Sequence, residues 1–247
     1  MKKTLSCLAI VASLTLYATP AHASLLLAGF VNGIQFCAAD NNLGCSNGLI
    51  LLDTDPTVGN LALNSTTLGG VTVNGSFHQA IIGPPQNSLN SSSLSIINNT
   101  AGTIQAQVSV GSTNFVGPVS SVDTSGSGTW QNAAGSTIQY GWWAAANNAQ
   151  GGENPSDFPG TLLSQCADTA SGGVDSFNCN ATAAFADPNL FSMTEGFALS
   201  LVAGGQLVSR GQDQIAVVNS PVPEPATMML LGTGLLAAFR SRRRFTN

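Results

Sequence analysis

Between residues 24 and 222 the chain holds one basic side chain, Arg210, no lysine, and one histidine, His78. Eleven carboxylates face that single cation: Asp40, Asp53, Asp55, Asp123, Glu153, Asp157, Asp168, Asp175, Asp187, Glu195 and Asp213. The stretch therefore carries a net charge near −10. Binding to nucleic acid replaces the counterions of the phosphates with lysine and arginine, so a segment this poor in both is excluded from it. Divalent cations are the guests such a balance would admit. Charge of either sign is scarce as well, at 8% of 247 residues. That scarcity does not mean disorder, because disordered chains lack apolar residues, whereas 43% of these residues are hydrophobic. One folded domain with a neutral, turn-rich surface is expected.

Catalytic constellations are also missing. A Ser-His-Asp triad would have to use His78, with Ser76 two residues away on the same strand face. "NGSFHQ" is not the G-x-S-x-G turn that exposes a nucleophilic serine, so both residues are expected on a solvent face. Paired carboxylates would serve glycoside hydrolysis, and Glu195 is the candidate acid because alternation puts it on an apolar strand face. Desolvation there would raise its pKa, as a general acid requires. The plainer expectation is a strand just beginning, with Glu195 at its solvated rim. With one mature histidine and no C-x-x-C pair, zinc has no ligand set.

What the middle does contain is period-two alternation. Ile104, Ala106, Val108 and Val110 alternate with polar residues, as do Val71, Val73 and Phe77. Ile138, Tyr140 and Trp142 share one face, and so do Met193, Phe197, Leu199 and Leu201. Each stretch reads as a half-buried strand. "VGST" (110–113) and "AGGQ" (203–206) read as tight turns that use glycine. No stretch of the middle has a convincing helical period. The fold class is therefore all-β, an antiparallel β-sandwich of jelly-roll or immunoglobulin-like type, over residues 24–219. Residues 150–189, poorly patterned, are expected to form a long surface excursion. Cys37, Cys45, Cys166 and Cys179 admit three disulfide connectivities, of which Cys37–Cys45 with Cys166–Cys179 closes the shortest loops.

The two ends are of another kind. Residues 1–23 have the order of a secretory signal: Lys2 and Lys3, an apolar run over 5–17, and Ala21-His22-Ala23, with Ala21 and Ala23 framing the cleavage site for signal peptidase. At the other end, residues 220–247 hold Pro223-Glu224-Pro225, an apolar helix-forming stretch over 226–239, and the cluster Arg240, Arg242, Arg243 and Arg244 at 240–244. Fourteen helical residues span only about 21 Å, short of a hydrocarbon core of about 30 Å. The arginines would hold the tail's end in the cytoplasm, with the domain outside.

These three C-terminal parts, in this order, resemble the PEP-CTERM sorting signal of Gram-negative bacteria. The resemblance implies cleavage near the triplet by a membrane-embedded exosortase. It also implies transient inner-membrane anchoring, then passage to the cell surface or extracellular matrix, in systems that accompany exopolysaccharide production and biofilm. It covers the tail alone and implies nothing about the domain in front.

Two kinds of binding residue stand out in that domain. Asp40, Asp53 and Asp55 lie in loops rich in oxygen donors and would suit calcium, although solvated loop carboxylates are the commoner reading; no other cofactor is expected. Trp143, next to the inward Trp142, must face outward, where it would stack on a sugar or be covered by the 150–189 excursion. The expected function is a non-enzymatic surface or matrix protein. The alternative is a carbohydrate-binding domain for the exopolysaccharide, and a secreted glycoside hydrolase ranks third. A shallow groove containing Trp143 would favour the carbohydrate-binding alternative, and two carboxylates across a cleft the hydrolase.

Overall fold

A computed structural model describes residues 25–42, 44–45, 47–81 and 86–217. The signal segment 1–23, the triplet 223–225, the stretch 226–239 and the arginine cluster 240–244 lie outside the described residues. The described residues form thirteen strands: β1 (Leu26–Val31), β2 (Ile34–Ala39), β3 (Leu49–Ile50), β4 (Asn60–Leu68), β5 (Val71–Ile81), β6 (Gln86–Asn98), β7 (Ile104–Val116), β8 (Val119–Gln131), β9 (Thr137–Ala145), β10 (Thr161–Thr169), β11 (Val174–Asp187), β12 (Leu190–Leu201) and β13 (Gln206–Val217). Among the described residues no helix is long and apolar enough to cross a membrane.

The strands form two layers. Sheet A has the order β10-β9-β12-β7-β1-β2-β3, and sheet B the order β11-β8-β13-β6-β5-β4. Every pairing is antiparallel except that of β2 with the two-residue β3. The sandwich expected from alternation is present, and the alternation decides which side chains meet between the layers. On β7 Ile104, Ala106, Val108 and Val110 point inward, opposite Leu201, Leu199, Phe197 and Glu195 of β12. Sheet B answers with Leu61, Val73, Phe77, Leu89, Ile96, Val122, Trp130 and Leu207 in the same apolar cluster. Removing that area from water supplies most of the drive to fold, roughly 25 cal/mol per Å2 of apolar surface.

Two expectations fail here. The 150–189 stretch is not one surface excursion, because β10 and β11 run through it and pair with β9 and β8 as the edge strands of the two sheets. Edge strands are covered less than central ones, so β11 makes do with Phe177, Cys179, Ala183 and Phe185 on its inner side, and small residues blur its period. The long loop of this stretch is the segment between β9 and β10, with short connections at 170–173 and 188–189. "VGST" is likewise no turn but the middle of β7. Gly111 is needed there because the backbone of Gly151 lies directly on it, where a Cβ would overlap. "AGGQ" does turn the chain, between β12 and β13, with Gly204 at φ 68°.

Both disulfides of the simplest pairing are formed. Cys37–Cys45 closes a loop at the end of β2, with Cα atoms 6.0 Å apart. Cys166–Cys179, with Cα atoms 6.4 Å apart, joins β10 to β11 and so clasps the two sheets along one side. Beside it the Trp130 indole on β8 donates to the Asp168 carboxylate on β10 at 2.7 Å. Cross-linking residues this close in sequence removes loop-closure freedom from the unfolded chain. Replacing Cys166 and Cys179 by serine is expected to cost about 3 kcal/mol, and the melting temperature of the non-reduced protein should fall by several degrees. An unchanged melting temperature would show that the clasp contributes nothing.

Candidate functional site

The outer face of sheet A is built in rows by its register. One row runs Gly111, Thr194, Trp143, Leu162 across β7, β12, β9 and β10. The next runs Ser109, Gly196, Gly141, Gln165, and the third Gln107, Ala198, Gln139. The β9–β10 loop lies over the first of these rows and is fastened to the sheet by hydrogen bonds. The Ser109 hydroxyl donates to the carbonyl of Asn154 at 2.6 Å, and the Gln150 amide to that of Gly111 at 3.1 Å.

The loop delivers Phe158 onto the sheet. Its ring sits over Gly196, and the indole of Trp143 lies over Gly141; a Cβ at either glycine would overlap the ring above it. The two rings stack with centroids 4.1 Å apart and planes 16° from parallel. Trp143 faces outward as its strand parity requires, and it is partly covered, but by one aromatic residue of the loop rather than by the whole 150–189 stretch.

Beside this pair is an open hollow of about 200 Å3. Gly141, Gly196 and Ala198 make its floor, and Gln107, Gln139, Gln165 and Leu162 border it with the two rings. No side-chain hydrogen bond to another described residue engages Gln107, Gln139 or Gln165. Each amide therefore offers donors and an acceptor to solvent or a ligand. By contrast Gln105, Gln150, Gln212 and Gln214 all donate to protein oxygens. Among the described residues that line the hollow there is no Asp, Glu, His, Lys or Arg.

Directly beneath, on the core side of the same strands, lies a buried polar network. Glu195 is 0% exposed and Arg210 1%. The guanidinium of Arg210 lies 4.1 Å from the Phe197 ring centroid and 5.0 Å from that of Tyr140. It donates to the Ser91 hydroxyl at 3.1 Å and to the side-chain oxygen of Gln212. Gln212 in turn donates to the carbonyls of Gly141 at 2.9 Å and Gly196 at 3.3 Å, and Gln214 to that of Trp143 at 2.9 Å. Side chains of sheet B thus hold the floor of the hollow from below.

Glu195 corrects the rim expectation. Because β12 begins at Leu190, Glu195 is in the strand's interior and faces the core, where neither carboxylate oxygen has a hydrogen-bond partner. Burial pushes its pKa up to about 8, opposed by the charge of Arg210 and aided by Asp213. The carboxyl is sealed between the two sheets, and that burial is the main cause of its raised pKa.

The other predicted residues are accounted for by structure. Asp40, Asp53 and Asp55 do come together, but as loop anchors. Asp53 accepts from the backbone amides of Asn41, Asp55 and Ala62 at 2.9–3.0 Å. Asp40 accepts from Gly59 at 2.7 Å, and Asp55 from Thr57 at 2.8 Å and from the Asn60 side chain at 3.1 Å. The bonds from Thr57 hold the Asp55 carboxyl below its ordinary range. Among the described residues no group of three or more His, Cys, Asp or Glu is arranged to hold a metal ion. His78 bonds Asn60 and Ser76 bonds Ser92, so the two are not joined as nucleophile and base.

A second hollow, of about 500 Å3, lies on the outer face of sheet B between β11, β8 and β13. It holds two carboxylates that the sequence reading did not single out, Asp123 and Asp213. Asp123 accepts from Thr182 at 2.7 Å, and Asp213 from Ser125 at 3.1 Å and from Asn90. Partial burial raises the Asp213 pKa. Asp123 and Asp213 stand on one flat strand face rather than across a cleft, and no aromatic ring borders the hollow.

Residues 221–244 match the PEP-CTERM protein-sorting motif. The motif marks the chain for export, exosortase processing and transient membrane anchoring through its tail. No curated protein matches the chain. Among solved structures it is similar to TmCBM61 in complex with β-1,4-galactotriose (10% identity, 59% of this chain and 88% of that one, TM-score 0.32). It is also similar to the K3 cleaved adhesin domain of Lys-gingipain from Porphyromonas gingivalis (12%, 54% and 74%, TM-score 0.34). A third is the CBM22-1 xylan-binding domain of Paenibacillus barcinonensis Xyn10C (14%, 66% and 89%, TM-score 0.31). Scores of this size do not equate two folds.

Glu195 sets a pH dependence. With its folded pKa near 8 and an unfolded value near 4.5, the native state binds the extra proton between these limits. Stability from this group is complete below about pH 4.5 and is lost as pH rises through 8, by an amount of the order of 5 kcal/mol. Glu195→Gln, which cannot ionise, is expected to remove that decline, so that variant and wild type diverge between about pH 4.5 and 8 in urea titrations. Parallel curves over this range would show that Glu195 does not titrate in it.

Proposed function

We propose that residues 25–217 form a non-enzymatic carbohydrate-binding domain of an exported, exosortase-sorted protein that resides at the cell surface or in the extracellular matrix. Exopolysaccharide is the proposed ligand. The observation that carries this reading is the hollow on sheet A, where the Trp143–Phe158 stack stands beside three unengaged amides on a flat glycine floor. Aromatic rings accept the C–H face of a pyranose by burying apolar area at low entropic cost, and amides match hydroxyls as both donors and acceptors.

The sheet B hollow supports the reading less well. It has no ring to stack on, and its carboxylates already accept hydrogen bonds from neighbours. The sealed position of Glu195 and the lack of a Ser76–His78 contact favour binding over catalysis. Asp40, Asp53 and Asp55 accept from amide donors in a different loop cluster, so the proposed site does not draw on them.

The test is co-sedimentation of the exported chain with crude exopolysaccharide from the source organism. Wild type should bind saturably, equally in calcium and in EDTA, and release no reducing ends. Trp143→Ala and Phe158→Ala should each weaken binding by at least about tenfold, with Asp213→Asn unchanged. Binding that survives Trp143→Ala while Asp213→Asn abolishes it would move the site to sheet B and defeat the proposal.

A further inference from the structure

We infer that the sheet A hollow selects uncharged glycans and rejects chains bearing uronate, sulfate or phosphate groups. This inference rests on the carbohydrate-binding reading and narrows it. Two features of the hollow and one of the whole domain point the same way.

The first feature is the chemistry of the border. Gln107, Gln139 and Gln165 offer only neutral amides, and Trp143, Phe158 and Leu162 beside them are apolar. An anionic substituent buried there would lose hydration and find no cation in return, which is costly for an unpaired charge. A hydroxyl loses less and is repaid by an amide that can donate and accept. The second feature is size. At about 200 Å3 the hollow is smaller than the roughly 300–1,000 Å3 of sites that enclose a drug-sized ligand. It suits one sugar unit of a chain that continues over the open sheet on either side.

The third feature is the charge of the domain. Its sole cation, Arg210, is buried on the far side of the floor and committed to Ser91, Gln212 and two aromatic rings. No lysine or arginine is left on the described surface to draw in a polyanion, and the exposed acids repel one. Such a domain can lie within an acidic matrix and still bind only the neutral component.

The test is affinity electrophoresis of the exported chain in gels containing neutral β-glucan, neutral β-galactan, polygalacturonate, alginate or crude exopolysaccharide of the source organism, all at about 0.15 M salt. Retardation is expected in at least one neutral gel and absent from both uronate gels. Gln107→Ala and Gln139→Ala, both surface changes that should leave the melting temperature alone, should each weaken neutral retention by about five- to tenfold. Retention by a uronate polymer that Trp143→Ala abolishes would overturn the neutral selectivity and leave the carbohydrate-binding reading standing. Neutral retention lost in Trp143→Ala but untouched by both glutamine variants would overturn amide recognition. No retention in any gel, the crude exopolysaccharide included, would overturn the carbohydrate-binding reading itself.

Discussion

The only cation of the exported domain is buried between its two sheets, and much of the architecture follows from how Arg210 is accommodated. A buried guanidinium costs several kcal/mol of lost hydration unless it is matched. Here the match is made by the Ser91 hydroxyl, the Gln212 oxygen and the faces of Phe197 and Tyr140. Glu195 answers it without ionising fully, since burial keeps this carboxyl largely protonated near neutral pH. Gln212, held at one end by Arg210, reaches with the other to the carbonyls of Gly141 and Gly196. One chain of polar contacts thus fixes the offset of sheet B against sheet A at the place where the outer face carries the proposed site. Apolar packing alone would tolerate small slips between the layers; directional hydrogen bonds do not.

The outer face is shaped by the same strands. Glycine at 141 and 196 removes two Cβ atoms from the middle of sheet A, and Trp143 and Phe158 occupy the space. The rings are therefore held by the sheet beneath and by each other, and the β9–β10 loop that brings Phe158 is tied down at Ser109 and Gly111. Little ordering would remain for a ligand to impose, which is what a rigid stacking surface requires. The acids in the loops around Asp53 serve a different purpose. They gather backbone amides at the end where β4 begins.

Much of this was legible in the sequence, and the limits have physical causes. Central strands such as β7, β9 and β12 pair large apolar residues with polar ones, so period two stands out, and it correctly put Tyr140 and Trp142 inward and Trp143 outward. The edge strands β10 and β11, on one side of the sandwich, did not stand out. A strand covered by one neighbour makes do with alanine, cysteine and serine, and a bulge between Leu162 and Ser164 breaks the count. Gly111 was misread as a turn because a glycine that makes room for another segment and one that turns the chain look alike locally. Glu195 had the right parity, but its depth depends on where β12 begins and on Arg210, fifteen positions further along. Phe158 and the three glutamines carried no signal of their own, since outward glutamines are ordinary on any solvent face. The hint available was glycine inside strand patterns at 141 and 196, which marks close approach of something above. The tail was easy to read because its order of parts is a linear code that needs no fold.

The measurement that tests the central claim most directly is a two-dimensional 1H–15N NMR titration of the exported chain with a neutral oligosaccharide, following side-chain signals. Trp130 and Trp142 are buried in the core, so only one of the three indoles borders the proposed site. The account predicts that the Trp143 indole and the side-chain amides of Gln107, Gln139 and Gln165 shift together along one binding curve, with the other two indoles still. Shifts confined to the Asn180 amide and its neighbours on sheet B, with the Trp143 signal unmoved, would contradict it.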